Sequence, residues 1–152
     1  SFGDGAGALL IGKDNVIVSI EGYYSSCNEI MDVWRSDRDR FVHSWEERFV
    51  RDAGYKTVVP KTVSAALEKY NLTPDDFSKV IFSAPNARFA SLACKKCGFD
   101  PKSKMQNLLH DAIGDTGTAL PIMLLASALD EAKAGDRLLL VSYGDGCDVF
   151  IL

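Results

Sequence analysis

The chain has 152 residues and a formal net charge of −4, with 47% apolar and 25% charged residues. This is the composition of an ordinary globular protein, and it excludes disordered, collagenous and disulfide-scaffold classes. The acidic balance argues against nucleic-acid binding, which needs a basic face, and no apolar run approaches the roughly 20 residues of a membrane span. We therefore expect a soluble cytoplasmic protein that keeps its four cysteines as thiols.

The first 20 residues predict a β-hairpin. Residues 8–11 form a short apolar run that ends in a turn-forming cluster at 12–15, and residues 16–20 are rich in β-branched side chains. The chain begins at Ser1, directly before a glycine-rich motif, rather than at a methionine. We therefore expect it to be cut from a longer protein.

The next part of the chain predicts an irregular excursion followed by a helix. Residues 32–52 are charged and aromatic, and we expect only some helical turns there. Residues 55–70 carry an apolar stripe at helical spacing, and Pro60 should either begin the regular helix or kink it. Thr73 followed by Pro74 is typical of a new helical start, with the threonine as N-cap.

The second half of the chain alternates strands and helices. Residues 79–83 predict a strand, and residues 88–97 predict a helix that ends at a glycine. Residues 119–132 are apolar on all sides, so this helix should be covered on every face. Residues 137–142 and 148–152 then read as buried strands. The alternation predicts an α/β fold with a mostly parallel mixed sheet and helices on both faces.

The pentapeptide S-F-G-D-G at residues 1–5 recurs as S-Y-G-D-G at 142–146, a spacing that is consistent with a duplicated domain. Six motifs are spread over almost the whole chain. Together the motifs resemble the thiolase superfamily, and within it the hydroxymethylglutaryl-CoA synthases; the ketoacyl-ACP synthases that start fatty acid synthesis are more distant. The motifs are G-D-G-A-G-A-L-L-I-G (3–12), E-G-Y-Y (21–24), V-W-R-S-D (33–37), F-S-A-P-N-A-R-F (82–89), I-G-D-T-G (113–117) and A-G-D-R-L-L-L-V-S-Y-G-D-G (134–146).

The resemblance implies a duplicated α/β unit, in which two sheets enclose shared central helices. Residues 1–12 would be the last strand of a missing N-terminal thiolase-like half, and residues 13–152 the C-terminal thiolase-like domain. The nucleophilic cysteine of the family lies in the first half, and no residue here matches it. The implied partners are that N-terminal half, on the same parent chain or a separate subunit, and a second copy or other subunits in a homodimer or hetero-oligomer.

The resemblance also implies a Claisen-type condensation of acyl-CoA thioesters, with coenzyme A as part of the substrate and no metal. Ser83 stands at the position of the family's catalytic histidine, and Asp115 at that of its asparagine. A serine hydroxyl does not act as a base near pH 7, and a carboxylate opposes the negative charge that develops on a thioester oxygen. We therefore expect that this chain lacks the standard catalytic residues.

Two further residues are candidates for binding the substrate. Asn86 matches a family position that can line the pantetheine end of a tunnel, although a loop-capping role is equally compatible with the sequence. Arg35 could meet the phosphates of coenzyme A, together with Arg38 and Arg40, or the three could form a solvated basic stretch balanced by nearby aspartates. The alternatives to an acyltransferase are a non-catalytic scaffolding subunit and a module that binds coenzyme A or an acyl thioester.

Other motifs are weaker. The stretch 7–13 has the spacing of a phosphate-binding loop but lacks its Ser/Thr and its preceding strand. Cys94 and Cys97 have C-x-x-C spacing, but no second histidine follows His110 at zinc-finger spacing, so we expect a core helix there. His43 and His110 have no identifiable partner in the sequence, and a surface position or a satisfied polar contact is expected for both.

Overall fold

A four-stranded mixed sheet forms the centre of the structure, a computed structural model that describes residues 3–31 and 33–152. The order of its strands is β1-β6-β5-β4. In chain order the elements are β1 (Gly22–Cys27), β2 (Val33–Trp34), β3 (His43–Ser44), α1 (Glu47–Phe49), a π-helical segment (Val50–Tyr55), α2 (Lys56–Tyr70), a 3₁₀ turn (Pro74–Asp76), β4 (Lys79–Phe82), α3 (Ala87–Lys96), α4 (His110–Ile113), a second 3₁₀ turn (Gly117–Ala119), α5 (Leu120–Glu131), β5 (Leu138–Tyr143) and β6 (Gly146–Ile151).

The predicted α/β class and mixed sheet are confirmed, but among the strands of the described residues only β4 and β5 pair in parallel, with one isolated parallel bridge between Val80 of β4 and Met105. The pairs β5–β6 and β1–β6 are antiparallel. The reason is local: β5 and β6 are joined by the short turn at Gly144 and Asp145, which leaves no room for the crossover that a parallel pair requires. The sheet is therefore less parallel than the sequence suggested.

Helices cover both faces of the sheet. Residues 80–82 of β4 and 138–141 of β5 are buried without alternation, which requires cover on both sides. Helix α2 packs against β1 and β6 and against α3, and α5 packs against β4 and β5. No helix in the described part of the chain is long and apolar enough to cross a membrane.

The hairpin predicted in the first 20 residues is wrong. No strand forms between residues 3 and 20, and the first strand is β1, which the sequence analysis did not predict. Leu10, Ile11 and Ile17 are 102%, 79% and 89% exposed. A strand exists only where a neighbour completes its hydrogen-bond ladder, and the described residues place none beside this segment.

Helix α5 lies between the sheet and the N-terminal segment. Leu124 and Ala128 are fully buried. On another side, a Cβ built on Gly5 would lie 2.7 Å from the Met123 sulfur, and one on Gly7 would lie 2.6 Å from the Ile122 side chain. Glycine thus allows the segment to approach the helix closely. The prediction of cover on every face is fulfilled only in part, because Met123 and Ile122 are half-buried and other positions of the helix are exposed.

Helix α2 contains Pro60 rather than beginning at it. Because proline has no N–H, it leaves the carbonyl of Lys56 without its helical partner, and Lys96 Nζ donates a hydrogen bond to that oxygen at 2.8 Å. The predicted start at Thr73 is confirmed by a capping box with Asp76. The segment 32–52 contains the expected helical turns, in α1 and the beginning of the π-helical segment, and also two short strands, β2 and β3, that were not predicted. Residues 1, 2 and 32 lie outside the described residues.

Candidate functional site

Ser83 directly follows β4 at the carboxyl end of the parallel pair. Its N–H donates a hydrogen bond to the Val141 carbonyl at 2.9 Å, which extends the β4–β5 ladder by one residue. Its carbonyl accepts a hydrogen bond from the Tyr55 hydroxyl at 3.3 Å. Both backbone groups of Ser83 are therefore used by the fold, and the side chain lies at a half-buried edge of the sheet.

Tyr55 anchors the Ser83 backbone to the core, a role that its place at the start of a helical stripe does not predict. Burial raises the pKa of its hydroxyl far above the ordinary value, so the group stays neutral and donates. Its ring lies 6.1 Å from that of Phe89 and 5.3 Å, edge to face, from that of Tyr143. Gly54 allows this arrangement, because a Cβ there would collide with the Tyr143 hydroxyl.

Asn86 is the N-cap of α3. Its backbone is extended, and its side-chain oxygen Oδ1 accepts a hydrogen bond from the N–H of Phe89 at 3.0 Å. This bond pairs one of the N–H groups that the first helical turn leaves without a partner. Of the two interpretations that the sequence left open, capping is the one that the structure shows directly. The amide nitrogen of Asn86 is not used by the cap.

Asp115 lies between α4 and the second 3₁₀ turn, where its side chain bonds to the backbone two residues further on. Oδ1 accepts a hydrogen bond from the Gly117 N–H at 2.9 Å, and the Asp115 carbonyl accepts one from the Gly3 N–H at 2.9 Å. The carboxylate thus sits beside the N-terminal end of α5, where the helix dipole favours negative charge. Gly114 and Gly117, with φ of 71° and 62°, provide the backbone turns on either side of it.

Arg35 is exposed on the β2–β3 hairpin. The hairpin is held by aromatic contacts: the Trp34 ring lies 5.9 Å from that of His43 and 5.6 Å from that of Trp45. His43 also pairs with Asp39 at 3.3 Å, so its expected surface position is confirmed. Ser83 and Asn86 lie in the same loop, between β4 and α3. Asp115 precedes α5, the helix that packs on β4. Among the described residues, no contact joins Arg35 to these three.

Three of the cysteines, Cys94, Cys97 and Cys147, are unreactive thiols. Cys94 lies within α3, as predicted, and Cys97 is its C-cap residue. Burial raises the pKa of Cys94 to about 11 and those of Cys97 and Cys147 to about 12. They therefore stay protonated at neutral pH and are poor nucleophiles and ligands. Among the described residues, no group of three His, Cys, Asp or Glu side chains is placed to hold a metal ion.

His110 departs from the expectation of a satisfied contact. It is the first residue of α4, and both of its ring nitrogens are buried with no hydrogen-bond partner in the described part of the chain. The sequence carried no signal for this, because burial of the ring depends on how residues 108–114 turn. The peptide preceding it is unusual too: Leu109 has φ of 59°, a left-handed conformation that is uncommon for a residue other than glycine.

The chain is similar to known condensing enzymes. It is 30% identical over 142 residues to the hydroxymethylglutaryl-CoA synthase of Methanopyrus kandleri, an alignment that covers 93% of this chain and 40% of that protein. The chain thus spans about two-fifths of the length of the curated relatives it matches. That share corresponds to the C-terminal half of those proteins.

Solved structures confirm the fold. The 3-oxoacyl-(acyl carrier protein) synthase III of Pseudomonas aeruginosa superposes with a TM-score of 0.77 at 13% identity, over 93% of this chain and 46% of that one. A crystal structure of hydroxymethylglutaryl-CoA synthase complexed with CoA superposes with a TM-score of 0.69 at 21% identity, over 85% and 37%. Residues 67–151 match the model of the 3-oxoacyl-[acyl-carrier-protein] synthase III C-terminal family. The chain therefore belongs to this family of thiolase-like domains.

Proposed function

We propose that this chain is the C-terminal portion of a hydroxymethylglutaryl-CoA-synthase-like acyltransferase that acts on acyl-CoA thioesters. The observation that carries the proposal is the similarity over 93% of the chain to hydroxymethylglutaryl-CoA synthases. It is supported by the positions of the two family loops, since Ser83 ends a parallel strand and Asp115 precedes a helix that packs on the same strand. A cytoplasmic location fits the four free cysteines.

The chemistry of these two positions supports a slow or lost condensation. In a Claisen-type step a base removes a proton from the carbon beside one thioester, and that carbon attacks the carbonyl of a second acyl thioester. Negative charge develops on the carbonyl oxygen until the carbonyl re-forms and the C–S bond breaks, which expels the thiolate. The Ser83 hydroxyl offers no base near neutral pH, and the Asp115 carboxylate accepts a hydrogen bond where a donor is needed. Losing an oxyanion donor costs about 10²–10³ in rate, and losing acid–base help costs about 10²–10⁴.

A partner with the first half of the fold is part of the proposal. The N-terminal segment has four large apolar side chains that are 52–102% exposed: Leu9, Leu10, Ile11 and Ile17. An apolar run of this kind typically marks an interaction surface. We propose that the N-terminal half covers it, carries the nucleophilic cysteine and completes a homodimer or hetero-oligomer.

The test is an activity assay of the native assembly with acetyl-CoA and acetoacetyl-CoA, with the Methanopyrus kandleri enzyme measured in parallel. We expect slow condensation by the unmodified assembly and faster condensation by the double variant Ser83→His, Asp115→Asn. Ser64→His, on the exposed side of α2, is the matched control for adding an imidazole. Condensation by the unmodified assembly at the reference rate would show that the standard residues are not required.

Two other functions stay open, and Ser83 and Asp115 favour them over full catalysis. If the double variant also fails to condense while calorimetry detects binding of acetyl-CoA, the chain is part of a thioester-binding module. If neither activity nor binding is found while the assembly stays intact, the chain is a scaffolding subunit.

A further inference from the structure

Strand β1 forms one edge of the sheet, and its own sequence leaves that edge unprotected. It is the outermost strand in the order β1-β6-β5-β4, and no further strand lies beside it among the described residues. Its sequence, G-Y-Y-S-S-C at 22–27, contains neither a charged residue nor a proline. Natural proteins often place such residues on an edge strand, because an open edge is a template for pairing with another chain. Another form of protection is therefore expected here.

The backbone groups that face outward on β1 are those of Tyr23, Ser25 and Cys27. The Asn28 N–H, next along the chain, donates a hydrogen bond to the Asp145 carbonyl at 3.1 Å, in the register of the β1–β6 ladder. Because ladder bonds in an antiparallel pair are made by alternate residues, the even-numbered residues of β1 face β6 and the odd-numbered residues face away from it. These outward N–H and carbonyl groups are what a further strand would pair with.

Tyr70, the last residue of α2, occupies the first of these positions. Its hydroxyl accepts a hydrogen bond from the Tyr23 N–H and donates one to the Tyr23 carbonyl, both at 3.0 Å. Lys69 Nζ donates to the same carbonyl at 3.3 Å and lies 5.1 Å from the centre of the Tyr70 ring. Gly22 makes room for that ring, because a Cβ built there would lie 2.5 Å from it. These two side chains of α2, Lys69 and Tyr70, are called the edge clamp below.

The edge clamp lies where a second copy of this chain would pair. Two β1 strands placed antiparallel around a two-fold axis at Ser25 bring Tyr23 of each copy opposite Cys27 of the other, which uses every outward position of both strands. No like charges oppose each other in this arrangement, because β1 carries none. We infer that the edge clamp blocks β1 and prevents a second copy of this chain from extending the sheet. The inference does not depend on the acyl-CoA function proposed above.

Sedimentation velocity of the native assembly over a range of concentrations tests the inference. The double variant Tyr70→Ala, Lys69→Gln removes the ring, the hydroxyl and the ammonium group of the edge clamp. We expect it to form species of at least twice the mass of the native assembly, in a proportion that rises with concentration, whereas the wild type does not. Tyr24→Ala, Lys61→Gln is the matched control, because neither side chain has a hydrogen bond among the described residues.

Adding Ser25→Lys to the double variant identifies the mode of association. Pairing around residue 25 would place two lysines directly opposite each other, so the larger species should disappear. Larger species that persist with Ser25→Lys, equal association by the control, or a double variant that sediments as the wild type does would each overturn the inference. If the double variant does not fold, hydrogen exchange of the unmodified assembly decides: the Tyr23 amide should exchange more slowly than the Ser25 amide, and equal rates would refute the edge clamp.

Discussion

Replacing Asn86 by alanine should destabilise the protein through one hydrogen bond. The bond runs from the Phe89 N–H to Asn86 Oδ1 at 3.0 Å and caps the first turn of α3. Loss of such a cap costs about 1 kcal/mol, within a range of about 0.5–2. For a domain of this size, that corresponds to a fall in Tm of about 2–4 °C per kcal/mol. Thermal and urea unfolding of Asn86→Ala beside the wild type measure both quantities.

Asn86→Ser and Asn86→Asp are the matched controls, because both residues cap helices about as well as asparagine. They should keep the stability of the wild type while removing the amide nitrogen. If that nitrogen also contacts a ligand, both controls should weaken binding of coenzyme A at unchanged Tm. The capping explanation is refuted if Asn86→Ala unfolds at the wild-type temperature, or if the serine variant is as unstable as the alanine variant.

Three other predictions follow from the packing and polar contacts of the fold. Leu124→Ala should lower the free energy of unfolding by about 2–5 kcal/mol, because Leu124 is a fully buried residue of α5; a loss below about 1 kcal/mol in urea unfolding would contradict the packing. The contact with Lys79 lowers the pKa of Glu131 below its ordinary value of 4.5. The wild type should therefore be more stable than Glu131→Gln above pH 4.5, and this advantage should disappear as the pH falls through the lowered pKa. A difference in Tm between the two proteins that does not change with pH would refute this. Lys96→Met should lower the free energy of unfolding by about 0.5–1.5 kcal/mol in the wild type. In a Pro60→Ala background the loss should be small, because the restored N–H of residue 60 pairs the Lys56 carbonyl that Lys96 otherwise binds. Additive losses of stability in this double-mutant cycle would exclude the coupling.

Local signals in the sequence predicted the helix boundaries well. Thr73 and Pro74 begin a 3₁₀ turn, and α3 ends where Gly98 takes φ of 87°. In both places the conformation depends on the residue itself and on neighbours within four positions. Local signals do not explain the position of Pro60. Helix α2 can contain this proline because Lys96 pairs the carbonyl that the proline leaves free, and the position of Lys96 next to the helix depends on the tertiary fold.

Strands were predicted less well, because pairing depends on partners that are distant in sequence. Residues 16–20 have stronger β-propensity than β1 (Gly22–Cys27), yet only the latter is a strand. β1 pairs with β6 along its whole length, from Gly22 opposite Ile151 to Cys27 opposite Gly146. The close approach at Gly146, where a Cβ would meet the backbone of Ser26 and Cys27, cannot be read from hydrophobicity.

At the candidate site the fold depends on backbone groups, whereas the proposed chemistry would depend on side chains. The fold uses the N–H and carbonyl of Ser83 and the carbonyl of Asp115, which are backbone groups that a histidine or an asparagine would supply equally well. The Asp115 side chain caps the turn at Gly117 through an oxygen that asparagine also has. Exchange of both side chains therefore leaves the hydrogen bonds of the fold intact, while in the proposed function it would remove a base and a donor from the condensation. Under the proposed function, the fold therefore does not require the two side chains on which the rate of condensation would depend.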